Sequence, residues 1–238
     1  MNTKKLFAGA AVVTGSVLFA GAANAQSKDE GANPDTQSSS SIPAPTHAVE
    51  LKVSTGYAQG FGDVGSNLPS LTDTANPGGA VELGVGYRLV PRLTIGVYGS
   101  GAAFGRGGSV DSSANLYSAT AGVDATWHIL PYSQLAPWVS LGSGWRGYWI
   151  TADQGNVSRQ GLELAKLQVG LDYRLTPAVA ISPVLGADAS MFLTQSTPDT
   201  SGFHNISSPN VNTFVFGGVL GRFDIPTGSD SKGEVARR

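Results

Sequence analysis

The chain has 238 residues, a formal net charge of −2 and no cysteine. The lack of cysteine excludes disulfides, thiolate metal sites and a lipid-modified N-terminal cysteine. The mild acidity argues against a nucleic-acid-binding surface, and the charged fraction of 13% is low beside the roughly 25% of typical soluble domains.

The N-terminus predicts a cleaved signal peptide over residues 1–25. Lys4 and Lys5 precede an apolar run, and Ala23-Asn24-Ala25 forms a small-x-small cleavage site. Without this segment the chain carries 13 Lys and Arg against 17 Asp and Glu, a formal charge of −4. Later apolar runs are shorter than the roughly 20 residues that a membrane-spanning helix needs. Any crossing of a membrane would therefore use strands.

Polar segments flank the central part of the chain. Residues 26–46 form a predicted periplasmic leader, and residues 225–238 form a predicted periplasmic tail. Both contain too few apolar side chains to offset the entropy of ordering, so we expect both to be disordered. The intervening residues 47–224 are expected to form one domain.

Eight segments with the period of a β-strand fill this domain. In residues 115–130 every second side chain from Tyr117 to Ile129 is apolar and the others are mostly polar, because side chains alternate between the faces of a strand. The predicted strands are 47–58, 79–89, 92–104, 115–130, 135–149, 162–175, 178–193 and 211–223. The connections 90–91, 131–134 and 176–177 are short, whereas 59–78, 105–114, 150–161 and 194–210 are long. This layout predicts an all-β fold, an eight-stranded antiparallel up-and-down transmembrane β-barrel with its short turns in the periplasm.

Apolar and charged side chains occupy opposite faces of these strands. The polar face carries five acids and seven bases, which are Glu50, Lys52, Glu82, Arg88, Arg92, Asp124, Arg146, Lys166, Asp172, Arg174, Asp188 and Arg222. Only Glu163 departs from the separation. A soluble barrel or sandwich would turn the charged face outward, but so few charges would solvate an outer wall poorly. We therefore predict that this face lines the lumen of a membrane barrel.

Large aromatic residues mark both ends of the apolar face. Tyr57, Tyr117, Trp145 and Trp149 lie toward the long loops, and Tyr87, Trp127, Tyr173 and Phe223 lie toward the short turns. Such rings predict two interfacial aromatic girdles. A basic side chain that faces mid-bilayer lipid costs roughly 2–4 kcal/mol, so a slip of one residue in any strand is strongly disfavoured.

The lumen of an eight-stranded barrel is just wide enough for its side chains. Buried charges of mixed sign are costly when unpaired, so we expect them to form an ion-paired plug without an open pore. A narrow channel for small or apolar solutes is the alternative.

Two strand–turn–strand units carry a resemblance to a known family. Gly84-Val85-Gly86-Tyr87 leads into the turn at Pro91, and Tyr173-Arg174-Leu175-Thr176 leads into the turn at Pro177. With the signal peptide and the eight strands, residues 47–223 resemble the small outer-membrane β-barrel proteins, which include the OmpA-type transmembrane domain and the OmpX and OmpW types. The resemblance implies an outer-membrane location, contact with outer-membrane lipid and lipopolysaccharide, and insertion by the barrel assembly machinery. Family members usually end on an aromatic residue, whereas fifteen residues follow Phe223 here.

The histidines give no convincing catalytic or metal-binding motif. Lipid A deacylase-type barrels use His-x-Ser, and neither His128 nor His204 is followed by serine at that spacing. His204 shares a loop with Asp199 and Ser201, as in palmitoyl-transferase barrels, which keeps a lipid-modifying enzyme as a third alternative. Three histidines without cysteine make no metal ligand set, and we expect no cofactor. The leading expectation is a non-enzymatic barrel with a structural or surface-contact role.

Overall fold

The computed structural model describes residues 42, 44–66, 68–200 and 202–227. The predicted signal peptide, most of the predicted leader and most of the predicted tail lie outside the described residues. Within them, the strands are β1 (Ala48–Phe61), β2 (Ala75–Val90), β3 (Leu93–Arg106), β4 (Asn115–His128), β5 (Leu135–Ala152), β6 (Gly155–Thr176), β7 (Val179–Ser196), β8 (His204–Asn205) and β9 (Val211–Pro226), and the helix is α1 (Leu71–Thr74). No helix in this part of the chain is long and apolar enough to cross a membrane.

Eight of these strands close into a barrel. Each long strand pairs antiparallel with the next along the chain, and β9 pairs with both β7 and β1. Leu51 opposes Phe223 across the seam between β1 and β9. The short strand β8 pairs only with the loop end of β7. Closure satisfies the backbone groups that an open sheet edge would expose, and the predicted fold class is confirmed.

The connections alternate in length at the two ends of the barrel, with one exception. Short turns follow β2, β4 and β6, and long segments follow β1, β3 and β7. The predicted loop 150–161 is wrong, because β5 and β6 continue to Ala152 and Gly155 and leave a two-residue turn. Gly155 has a φ of +130°, a value that glycine adopts without steric cost. At the other end, β9 includes Ile225, the residue at which the tail was predicted to begin. Ile225 pairs with Val49 of β1.

The two faces of the barrel wall have the polarity that the sequence pattern predicts. Leu83, Leu141 and Leu185 are about 60% exposed on the outside, whereas Arg88 and Arg222 are fully buried inside. The eight aromatic residues predicted as girdles are all exposed on the outer wall. An outer wall this apolar requires an apolar environment.

A β-bulge in β6 explains the one exception to the charge pattern. Gly142 pairs with Lys166, but Gly144 pairs with Glu163, so β6 has one extra residue between these pairs. Leu164 and Ala165 both face outward as a result, and Glu163 turns inward with only 1% of its surface exposed. The expectation that Glu163 breaks the separation of faces is therefore wrong.

Candidate functional site: the barrel lumen

The lumen contains charged layers stacked along the barrel axis. We call the layer nearest the short turns the turn-end cluster; its members are Glu50, Arg88, His128, Asp172, Arg174, Arg222 and Asp224. All have less than 3% of their surface exposed. Inward parity and strand pairing bring them together, because Glu50 opposes Asp224 across the β1–β9 seam.

The turn-end cluster joins three acids to three arginines. Arg88 Nη2 lies 2.7 Å from Glu50 Oε2 and 3.1 Å from Asp224 Oδ1. Arg174 Nη1 lies 2.9 Å from Asp224 Oδ2. Arg222 pairs with Glu50 and lies 3.0 Å from Asp172 through Nε. Removal of one partner from such a buried network leaves an uncompensated charge, which is strongly destabilising.

A single ion pair crosses the middle of the lumen. Lys52 contacts Asp124, and the Ser140 hydroxyl donates a hydrogen bond of 3.1 Å to Asp124 Oδ2. Thr126 donates in turn to the Ser140 hydroxyl at 3.1 Å. The pair links β1 to β4 across the barrel.

The third layer, which we call the loop-end cluster, contains Glu82, Arg146, Glu163, Lys166 and Asp188. Lys166 Nζ lies 2.5 Å from Glu82 Oε2 and 3.5 Å from the centre of the Tyr98 ring. Arg146 Nη2 lies 2.9 Å from Glu163 and 2.6 Å from Asp188. The Tyr98 hydroxyl donates a hydrogen bond to Glu163.

Above the charges, apolar side chains fill the lumen. We call Phe104, Tyr148, Phe192 and Phe214 the aromatic cap; their neighbouring ring centres are 6.1 to 6.2 Å apart. Val64, Leu71 and Ile206 from the long loops belong to the same buried cluster. The Arg146 guanidinium lies 4.0 Å from the centre of the Phe214 ring. The cap therefore rests directly on the loop-end cluster.

A cavity of about 60 Å³ lies between the loop-end cluster and the aromatic cap. Glu82, Asp188 and Arg146 contribute charged groups to its wall, and Ser118 contributes a hydroxyl. Phe104, Phe214 and Phe216 line it as well. This volume holds a few water molecules but no organic molecule of drug size.

The segment before β1 crosses the turn end of the barrel. Ala44 is buried, and its N–H donates a hydrogen bond of 3.1 Å to the Pro131 carbonyl in the β4–β5 turn. In the ring of pairings this turn is three strands from β1 in one direction and four in the other. Residues 44–47 must therefore span the barrel mouth, and we call them the strap.

The structure brings eleven of the twelve predicted lumen charges inside the barrel and corrects one. Arg92 is exposed in the β2–β3 turn, because that strand begins only at Leu93. Sequence reasoning left out Glu163, Asp224 and Arg159, which are buried inside as well. The bulge hid Glu163, the misplaced end of β9 hid Asp224, and the predicted loop 150–161 hid Arg159.

The aromatic cap was also missed, although a signal for it exists. Inward positions carry polar residues in the middle of each strand and change to apolar residues near the long loops, as at Phe104, Leu116 and Ile150. An inside-apolar pattern is that of an ordinary soluble barrel. A search for this change from polar to apolar side chains at the inward positions of each strand would have found the cap.

In the part of the chain that the structure covers, the loop residue His204 has a hydroxyl and not a carboxylate as its side-chain hydrogen-bond partner. His204 Nδ1 lies 3.4 Å from the Thr200 hydroxyl, and Ser201 lies outside the described residues. No group of three His, Asp or Glu side chains within the described ranges is placed to hold a metal ion.

Comparison with known proteins finds similar structures but no matching family model and no matching curated sequence. Among solved structures, Neisserial surface protein A is similar with a TM-score of 0.50 and 13% identity, over 74% of this chain and 96% of that one. The outer membrane protein OprG from Pseudomonas aeruginosa has a TM-score of 0.46 and 11% identity, over 75% and 97% of the two chains. Ail, the attachment invasion locus protein of Yersinia pestis, has a TM-score of 0.42 and 13% identity, over 75% and 100%. The described chain therefore has the closed eight-stranded fold of the small outer-membrane β-barrels.

Proposed function

We propose that this protein is an integral outer-membrane β-barrel with a closed lumen, and that it supports envelope integrity or surface contact through its loops. The observation that carries the proposal is the combination of an exposed apolar outer wall with buried ion-paired charges. Lipid is the medium that suits such a wall. Its outward side chains are apolar, and closure of the barrel pairs the backbone N–H and C=O groups, each of which would cost several kcal/mol if it were unpaired in lipid. Outer-membrane lipid and lipopolysaccharide are the proposed contacts, and the barrel assembly machinery is the proposed route of insertion.

Single-tryptophan variants test whether the outer wall contacts lipid. Trp127 is 45% exposed on the wall, whereas Trp138 is 3% exposed in the lumen, where its Nε1 donates to the Ser182 hydroxyl at 3.0 Å. In vesicles of brominated lipid, we expect strong quenching of a variant that retains only Trp127 and weak quenching of the matched variant that retains only Trp138. Equal quenching of both, or a mature chain that stays monomeric without detergent, would contradict the membrane barrel.

The closed lumen is supported by barriers at both ends. The turn-end cluster and the strap lie at one end, and the aromatic cap lies at the other. We expect the purified full chain in planar bilayers to show no steady conductance. A steady conductance in the wild-type chain would rule out the plug.

A narrow channel is the second candidate, and the cavity below the aromatic cap favours it. A solute on this path would have to displace the Phe214 ring and the Arg146 side chain. Phe214→Ala should then open the path and raise solute uptake into vesicles, whereas a closed barrel should stay impermeable. The exposed Phe203→Ala serves as the matched control.

We also propose that the protein is not an enzyme. The only side-chain hydrogen bond of His204 among the described residues is to a hydroxyl and not to a carboxylate. The lipid A profile of cells that carry His204→Ala should equal that of the wild type. A changed profile would favour the lipid-modifying alternative.

A further inference from the structure

The loop-end cluster contains two carboxylates that share one donor atom. Glu163 Oε1 and Asp188 Oδ2 both accept from Arg146 Nη2. The two oxygens lie within about 5.5 Å of each other, since the distances to the shared nitrogen are 2.9 Å and 2.6 Å. Two negative charges this close repel each other strongly in a medium of low dielectric constant, and one guanidinium carries a single positive charge.

The balance of charge differs between the layers. The turn-end cluster has three acids for three arginines, and the middle layer has one acid for one lysine. The loop-end cluster has Glu82, Glu163 and Asp188 for only Arg146 and Lys166. Toward the loops the next buried cation is Arg159, but it lies four residues farther along β6 than Glu163, roughly 13 Å at the rise of a strand.

The cavity adjoins this excess negative charge. Glu163 and Asp188 both line it. Ser118 lines it from β4, is only 5% exposed, and has a hydroxyl without a hydrogen-bond partner in the described part of the chain. The wall therefore offers carboxylate and hydroxyl oxygens, the ligand type that hard cations prefer. A volume of about 60 Å³ suits one small ion with one or two waters.

We propose that this cavity binds one small inorganic monovalent cation, Na⁺ or K⁺, beside Glu163 and Asp188. One positive charge balances the layer, whereas a divalent ion would leave an excess of the opposite sign. The two carboxylates and the Ser118 hydroxyl contribute oxygen ligands directly or through water. The site goes beyond the proposed function and does not depend on whether the lumen conducts.

The test measures stability against cation concentration. The full mature chain is unfolded by urea in detergent micelles at pH 7.5 and fixed ionic strength, while Na⁺ or K⁺ replaces N-methylglucammonium, which is too large for the cavity. A cation that binds only the folded state raises the folding equilibrium constant about tenfold for each tenfold rise in its concentration above Kd. We expect this slope in the wild type and a flat response in Asp188→Asn, where two acids face two bases.

Two further variants keep the test decisive. Asp199→Asn changes the charge of an exposed loop residue by the same amount and should keep the wild-type slope. Ser118→Ala removes one ligand without changing any charge, so it should fold and shift the cation dependence to higher concentration. If Asp188→Asn fails to fold, the Ser118→Ala response decides alone: a response identical to the wild type overturns the site.

A proton could supply the same positive charge. Carboxyl ¹³C NMR separates these cases, because a bound cation leaves Glu163 and Asp188 ionised at pH 7.5 and shifts their signals when Na⁺ replaces N-methylglucammonium. A protonated carboxyl, together with a stability that is indifferent to the cation, would overturn the proposal. Neither result depends on the conductance measurement that tests the closed lumen.

Discussion

At the scale of single residues, Arg222 is one of two arginines of the turn-end cluster that each contact two carboxylates, the other being Arg88. Arg222 contacts both Glu50 and Asp172 and is fully buried. Arg222→Leu would leave the buried Asp172 without an arginine partner and Glu50 with Arg88 alone, so we expect a loss of about 3–5 kcal/mol in the free energy of unfolding. Urea unfolding in detergent micelles measures it.

The exposed turn residue Arg92 provides the control for this prediction. Arg92→Leu removes the same charge at a site outside the lumen, and surface changes of this kind stay within about 0.5 kcal/mol. Similar losses in the two variants would show that the network adds nothing specific.

A loop carboxyl gives a prediction about pH. The backbone N–H of Ser113 and then its hydroxyl donate to Asp111 Oδ1, both at 2.7 Å, and these bonds lower the pKa of Asp111 below its ordinary value. A lowered pKa in the folded state means that the stabilisation is complete above the unfolded pKa and is lost as pH falls through the folded one. Ser113→Ala should raise the pKa of Asp111 in a carboxyl NMR titration. Ser112→Ala, which leaves both bonds in place, should not.

At the scale of elements, the bulge in β6 decides which face Glu163 occupies. Leu164 is the extra residue between two regular stretches of pairing. Its deletion should restore regular pairing, keep Glu163 and Lys166 inward, and give a chain that still folds, as heat-modifiable gel mobility would show. Deletion of Val169, in regular pairing with Val139, should turn part of β6 inside out and prevent folding. Failure of both variants, or success of both, would contradict this account.

These elements also show what the sequence could and could not predict. Alternation identified all eight barrel strands and the face of each, because the polarity of lipid and lumen acts on every second residue. Bulges are invisible to a strict period of two, so Glu163 was misassigned. Strand ends near the loops were set too early, because beyond the membrane the wall needs no apolar outer face. Arg159 was missed for that reason, whereas Asp224, at the turn end, was missed because the last strand was predicted to end at Phe223 and β9 continues to Pro226.

At the scale of the whole molecule, the strap joins the beginning of β1 to the far side of the barrel. The chain has no cysteine, so a designed disulfide has no competitors. Ala44→Cys with Pro131→Cys should crosslink under mild oxidation, because the two backbones are hydrogen-bonded. Ala44→Cys with Pro177→Cys, in another turn, should not. Non-reducing mass spectrometry of the folded chain distinguishes them, and equal crosslinking would mean that the strap has no fixed position.

The seam between β1 and β9 has a consequence for biosynthesis. The first strand to leave the ribosome must wait for the last, since Leu51 finds its partner Phe223 only when nearly all of the chain has been made. In a chain that lacks β9, the facing edges of β1 and β7 have no partner strand, and unpaired strand edges are prone to aggregate. A chain interrupted before Val211 therefore lacks the strand that closes the barrel. We expect it to remain an open sheet rather than form a smaller barrel, and its unpaired edges mark it for degradation in the cell.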